Sequence, residues 1–223
     1  MKRILLLLPV ISVLTLLLFS FYPESAKSTF KKAHQLEQIP AFKAGDIVFQ
    51  SSLSGQSHAI QLATKSRYSH CGILLEKNGK LQVFEAVQPV KFTPFEQWIR
   101  QGDNQHYVVK RLKDPSVITD EVVNEMSKEA KKLEGKNYDT YFGWSDETIY
   151  CSELVWKLYH RTTNLELGEL KPLGRYDLSD PVVKRILQER YGKKIPKEEQ
   201  MISPGAIFDS ELLETVVESG KLF

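Results

Sequence analysis

The hydrophobic pattern divides this chain into three stretches. Apolar residues run almost unbroken from Ile4 to Tyr22, a polar stretch with Pro23, Pro40 and several lysines follows to residue 43, and shorter apolar groups occupy the rest. Ile47 to Gln50 reads as a short buried strand between the Gly45-Asp46 turn and a Ser/Gly loop, Ser51 to Gly55. Ile60, Leu62 and Ala63 mark a helix from about Ser57 to Thr64. Tyr68 to Leu75 and Leu81 to Val87 are apolar, β-branched and aromatic runs separated by Lys77-Asn78-Gly79-Lys80. Asn-Gly between two such runs is the strongest short hairpin signal.

That turn predicts a register. With Asn78 and Gly79 as the loop, Lys77 faces Lys80, Gly72 faces Glu85 and His70 faces Val87. His70, Gly72, Glu85 and Val87 then share one face, and Cys71, Ile73, Phe84 and Ala86 the other.

Downstream, Thr93-Pro94 is expected to cap a helix exposing Phe95, Trp98 and Ile99 to the core and ending at Gly102. Tyr107 to Leu112 is a further strand. Thr119 caps a helix with Val122, Val123, Met126, Ala130 and Leu133 at helical spacing, stopped by Gly135. An aromatic-rich loop, Lys136 to Tyr150, leads into an amphipathic helix that opens at Cys151 and buries Val155, Trp156, Leu158 and Tyr159. Asp180-Pro181 opens a helix ending at Gly192, and Ser203-Pro204 opens a last helical region carrying Ile207, Phe208, Leu212 and Leu213. Strands and helices mix without regular βαβ alternation, so the expectation is an α+β domain built on an antiparallel sheet.

Length and charge narrow the function. With 223 residues and 42% hydrophobic content the chain can bury one substantial core, which places a single domain at residues 44–223 after a linker, residues 29–43. Lys2 and Arg3 ahead of the first apolar run give residues 1–28 the layout of a signal peptide or N-terminal membrane anchor, with residues 4–22 as the tether. Either reading predicts export to the periplasm or cell envelope. The net charge is +2, and removal of residues 1–28 leaves a formally neutral chain whose lysines interleave with glutamates. No basic face for nucleic acid is expected.

Candidate chemistry rests on Cys151, His70 and Glu85. A thiol must ionise to attack a carbonyl, and a helix start offers free amide donors and the positive end of the macrodipole. The amide of Cys151 itself is placed to receive an oxyanion. An imidazole nearby takes and returns the proton. Glu85 lies diagonally across the hairpin from His70, about 7 Å for neighbours of that kind, and a carboxylate among Val83, Phe84, Ala86 and Val87 needs a partner. Orienting the ring is its economical role, as in Cys-His-acid triads.

Alternatives stand beside that reading. His70 could be a satisfied core histidine, Glu85 could pair with a basic residue at the sheet edge, and Cys151 could be an inert buried thiol. Cys71 and Cys151, the only two cysteines, could form one structural disulfide in an oxidising compartment, contributing about 4 kcal/mol by chain entropy, which would make the protein an exported binding module. Cys71 points away from His70 on a strand and cannot be its nucleophile. His34, His58 and His106 lack ligand spacing, so neither metal nor cofactor is expected. Ser152 lacks a Gly-x-Ser-x-Gly elbow.

Seven segments carry a resemblance: 45–50, 56–64, Tyr68-Ser69-His70, 83–87, Tyr138-Asp139, 150–156 and Ser203-Pro204. With them the chain resembles the YiiX-like (YiiX/YebB-like) cysteine hydrolases, a circularly permuted branch of the NlpC-type papain-like fold, in which the histidine strand precedes the cysteine helix. The resemblance implies Cys151 as nucleophile, His70 as base and Glu85 as the orienting member. Cys71 departs from the threonine or other small residue common in relatives. Amide, ester or thioester bonds in murein peptides or lipid-linked acyl compounds are the implied targets, with a peptidase requiring an open groove and a lipid amidase or acyltransferase an apolar tunnel.

Overall fold

The computed structural model describes residues 42–219. The assignments made above for residues 1–28, and for all but the end of the linker, lie outside them. Among the described residues no helix is long and apolar enough to cross a membrane.

A six-stranded antiparallel sheet organises the domain. In chain order its strands are β1 (Ile47–Gln50), β2 (His70–Lys77), β3 (Lys80–Glu85), β4 (Lys91–Pro94), β5 (Val108–Leu112) and β10 (Leu213–Glu218). Across the sheet they lie in the order β10-β5-β1-β2-β3-β4. Two pairs of two-residue strands complete the set: β6 (Asn137–Tyr138) with β7 (Thr148–Ile149), and β8 (Lys171–Pro172) with β9 (Gln200–Met201). The helices are α1 (Gly55–Thr64), α2 (Phe95–Arg100), α3 (Asp120–Leu133), α4 (Cys151–Thr163), α5 (Pro181–Tyr191) and α6 (Pro204–Phe208).

The β2–β3 hairpin adopts the register that its turn predicts, from Lys77 opposite Lys80 to Ile73 opposite Phe84. Asn78 and Gly79 both take positive φ, 55° and 73°, as a two-residue hairpin with the twist of its strands requires. Pairing stops earlier than expected. β3 ends at Glu85, so His70 opposite Val87 is absent from the ladder, and His70 pairs instead with Gln50 of β1. The two faces separate as the alternation requires. Cys71, Ile73, Leu75, Phe84 and Ala86 join the main core with α3 and α4, while Val48, Leu74, Val83 and Val109 pack with Trp98 of α2 on the other side. A third cluster joins Ala59 of α1 to Val183 and Leu187 of α5.

Gly72 is demanded by packing. A Cβ there would stand 2.5 Å from Val83 Cγ1 and 3.0 Å from the Phe84 carbonyl oxygen, in the crowded space directly across from Glu85. Helix α4 is fixed along its length by burial of Leu154, Val155, Leu158 and Tyr159, and by Lys157, which pairs with Glu153 at 2.6 Å and with Asp146 at 2.9 Å. Thr119 and Asp180 cap α3 and α5 through bonds from Val122 and Val182.

Two elements differ from expectation. Thr93 caps no helix: it belongs to β4, and its hydroxyl turns to a buried carboxylate described below. The last helical region also ends early, at Phe208, and Leu213 opens β10 instead, paired with β5 from Leu112 to Val108. The β-branched run Thr215-Val216-Val217 fits a strand, and the open edge of β5 supplies its hydrogen bonds.

Candidate functional site

Cys151 opens α4 and is 2% exposed. Tyr150 enters the helix in extended conformation, its amide donating to Glu153 Oε2 at 3.3 Å, while its hydroxyl accepts from the Ile202 amide at 3.1 Å. Ser152 donates its hydroxyl proton to the Ile202 carbonyl at 2.9 Å. These bonds tie the first turn to the segment before α6, and the helix periodicity leaves its leading amides without intrahelical acceptors.

His70 stands at the first residue of β2, level with the tip of α4. Its Nε2 lies 2.6 Å from Glu85 Oε2, so its Nδ1 is the atom left for the sulfur. Glu85 is wholly buried and triply held. Thr93 Oγ1 donates to Oε1 at 2.6 Å, and Trp98 Nε1 donates to Oε2 at 3.0 Å. Three donors around a buried carboxylate keep it charged and aimed. Neither Thr93 nor Trp98 carries a sequence signal for this role, because the Thr-Pro pair mimics a helix cap and the tryptophan looks like any core aromatic.

The sulfur of Cys151 meets both sides of the strand end. It lies within hydrogen-bonding reach of the His70 ring and of the thiol and backbone amide of Cys71. The Cys71 thiol and the His70 ring hold the Cys151 thiol well below its usual range, against the opposing effect of burial. Burial alone would push His70 down, but the Cys151 sulfur and the Glu85 carboxylate outweigh it and raise the ring to about 10. Glu85 is lowered despite its burial, chiefly by the His70 bond, then by Thr93 and Trp98. Both directions favour the thiolate and imidazolium forms of the pair. Cys71 does sit on the opposite face from His70, in the core, with its thiol pushed up by burial and by the neighbouring sulfur. It is more than a small buried hydrophobe, since its S–H is a donor to Cys151. Both cysteines are free thiols.

Two depressions flank the thiol and imidazole. An apolar cavity of about 80 Å³ is lined by Cys151, Ala59, Val183, Ile186, Leu187 and Ile202, among others, between α1 and α5. A polar groove of about 610 Å³ lies on the His70 side, lined by Gln50, Ser52, Ser57, Ser69, Gln88 and Gln101, among others. Gln56, Ile60 and Tyr138 border both. The Tyr138 hydroxyl comes within hydrogen-bonding reach of the Cys151 sulfur. Of the aromatics in the loop before α4, Tyr138, Phe142 and Tyr150 line the apolar cavity with Cys151. Trp144 instead packs on Trp156, with ring centroids 5.3 Å apart.

Comparison with known proteins is consistent with this arrangement. Residues 41–217 match the family described as permuted papain-like amidase enzymes, YaeF/YiiX, C92 family. YiiX of Escherichia coli (strain K12), an uncharacterized protein, is 47% identical over 192 residues, which are 84% of this chain and 94% of that protein. The crystal structure of YiiX from Escherichia coli O157:H7, described there as a metalloprotein, aligns with a TM-score of 0.76 and 49% identity over 79% of this chain and 97% of that one. Among the described residues here, no three His, Cys, Asp or Glu side chains converge as metal ligands, and Cys151, His70 and Glu85 are engaged with one another. The match runs through the whole sheet and both elements that carry the thiol and the imidazole, with the histidine strand ahead of the cysteine helix, and this chain belongs to the permuted papain-like amidase family YaeF/YiiX.

Proposed function

We propose that this protein is an exported cysteine hydrolase that cleaves an amide or ester bond of a lipid-linked substrate through Cys151, His70 and Glu85. The observation that carries the substrate class is the apolar cavity reaching from Cys151 between α1 and α5, which suits an acyl chain and offers little to a charged murein peptide. The polar groove beside His70 then receives the leaving group.

In this reading the Cys151 thiolate attacks the acyl carbonyl carbon, and the carbonyl π electrons move to oxygen, where the free amide of Cys151 donates to the oxyanion. The carbonyl re-forms as the bond to the leaving nitrogen or oxygen breaks, and His70 Nδ1–H delivers its proton to that atom. The product amine or alcohol departs along the polar groove. An acyl thioester remains on Cys151. Neutral His70 then accepts a proton from water as the water oxygen attacks the thioester carbonyl; collapse expels the thiolate and frees the carboxylic acid. Glu85 holds the ring in the orientation and tautomer that both steps need and favours the imidazolium between them.

The test is a screen of the purified protein against acylated amines, acyl esters and murein fragments, with intact-mass detection of an acyl adduct. A Cys151 adduct with acyl compounds, lost in Cys151→Ala, supports the reading. Labelling by a thiol-reactive acyl probe that survives Cys151→Ala refutes it, and turnover of murein peptides alone overturns the lipid assignment. For export, residues 1–28 act as signal or residues 4–22 as tether, and the mass of the protein recovered from membrane and soluble fractions distinguishes the two.

A further inference from the structure

The wall of the apolar cavity changes character at one residue. The positions of α5 that line it are Val183, Ile186, Leu187 and Arg190, a stripe at helical spacing that is apolar until its last member. Arg190 carries the only charged side chain among the residues that line the cavity. Helix α1 lies antiparallel to α5: the Asp177 amide, just ahead of α5, donates to the Ala63 carbonyl at 2.9 Å, while Gln56, in the first turn of α1, meets Arg190.

Arg190 donates from Nη2 to Gln56 Oε1 at 2.6 Å. A guanidinium has only donors, so Gln56 turns its oxygen to Arg190 and its amide nitrogen to the Tyr138 hydroxyl oxygen, at 3.0 Å. Gln56 and Tyr138 border both the cavity and the polar groove, so Arg190 stands where the two depressions meet. Its charge is unmatched there. Arg190 forms no ion pair among the described residues, and its guanidinium lies over the Phe142 ring, 5.1 Å from the centroid. Asp139, in the same loop as Phe142, turns its two oxygens to the amides of Tyr141 and Gly143, each at 2.7 Å. The residues lining the polar groove include no acid and no base other than His70. A half-buried guanidinium with one neutral acceptor leaves the rest of its fork for a carboxylate or phosphate, whose paired oxygens match it.

We propose that Arg190 is a specificity-determining residue that pairs with an anionic group, a carboxylate or a phosphate, on the part of the substrate that leaves. The proposal deepens the lipid-linked hydrolase reading above and rests on it. With the acyl chain along Val183, Ile186 and Leu187 and the carbonyl at Cys151, the departing amine or alcohol passes the end of α5, where an anionic substituent a few bonds from the scissile atom meets the fork. The substrate class is then an N-acyl amino acid or an acyl glycerol phosphate, not a neutral amide or ester.

Two matched pairs of compounds test this: N-octanoylglycine against N-octanoylglycinamide, and 1-octanoylglycerol 3-phosphate against 1-octanoylglycerol. Release of octanoate gives kcat/KM for each. A hydrogen-bonded charge is worth about ten- to a hundredfold, and the wild type should favour the anionic member of at least one pair by about that factor. Preference in the first pair alone identifies a carboxylate, and in the second alone a phosphate. In Arg190→Met the ratio should fall to about one, and in Arg190→Lys, which keeps the charge without the fork, it should be intermediate. Arg190→Glu should reverse the preference, taking N-octanoylethylenediamine ahead of N-octanoylglycinamide. A purely structural role would lower both members of a pair alike, so a wild-type ratio in Arg190→Met overturns the inference. Binding of the same compounds to Cys151→Ala, measured by calorimetry, separates this inference from the reading beneath it. Turnover by the wild type without anion preference overturns the inference alone. Anion preference in binding, lost with Arg190, but no turnover by the wild type overturns the hydrolase reading and leaves the anion site. Neither turnover nor preferential binding overturns both.

Discussion

Replacing Glu85 by glutamine separates its charge from its shape. In the wild type, Oε2 accepts from His70 and Trp98 and Oε1 accepts from Thr93, all within a fully buried site. A glutamine that keeps its oxygen at the Oε2 position still accepts the first two bonds, and its nitrogen donates to Thr93, whose hydroxyl turns to accept. No buried group is orphaned. What is lost is charge assistance to the imidazolium, about 1–1.5 kcal/mol for one bond, and about 1.4 kcal/mol corresponds to one pH unit. His70 is raised to about 10 in part by this carboxylate. The alkaline limb of turnover, where His70 loses the proton that the leaving group needs, should therefore move down by about one unit. At neutral pH kcat should fall about tenfold, against a thousandfold or so for His70→Ala. Glu85→Ala, by contrast, strands the Trp98 and Thr93 donors in a dry site at about 1–3 kcal/mol each and should lower the melting temperature sharply. The assays are acyl-ester hydrolysis across pH 6–11 and thermal unfolding of all three variants. An alkaline limb unmoved in Glu85→Gln, or equal unfolding of Glu85→Gln and His70→Ala, refutes the orienting role and leaves a structural pair.

Further outcomes follow from the same geometry. Iodoacetamide alkylation of Cys151, which needs only the thiolate, should persist above pH 10 where hydrolysis fails; parallel loss of both would contradict the assignment of the alkaline limb to His70. Cys71→Ala removes a donor to the sulfur and should raise the pH at which alkylation begins, without abolishing turnover; an unchanged alkylation profile would remove Cys71 from the site. Gly72→Ala forces the Val83 side chain and the β3 backbone to shift, at about 1–3 kcal/mol, and should lower the melting temperature by several degrees. Val183→Trp should fill the cavity between α1 and α5 and shift acyl-chain preference to shorter chains, and an unchanged preference would show that the chain binds elsewhere. Intact mass without reductant should find two free thiols, whereas a native Cys71 to Cys151 bridge would remove the nucleophile.

Periodicity alone determined much of this protein. Alternation along a strand is a local property of the backbone, so Asn78-Gly79 was enough to assign the register of the hairpin and to put His70 and Glu85 on one face and Cys71 on the other. The caps at Thr119 and Asp180, and Cys151 at the start of an amphipathic helix, are likewise local, since each depends on residues a turn apart. Only the tertiary structure decided who meets at the ends of those elements. Thr93 reads as a cap until the Glu85 carboxylate competes for its hydroxyl, and Leu213 reads as helical until the edge of β5 offers it hydrogen bonds. Cys71 faces away from His70, yet the tip of α4 stands where the strand begins and its sulfur touches both. Arg190, Gln56 and Tyr138 belong to three segments whose contacts are made by packing rather than by spacing, and no local pattern encodes which amide proton points where.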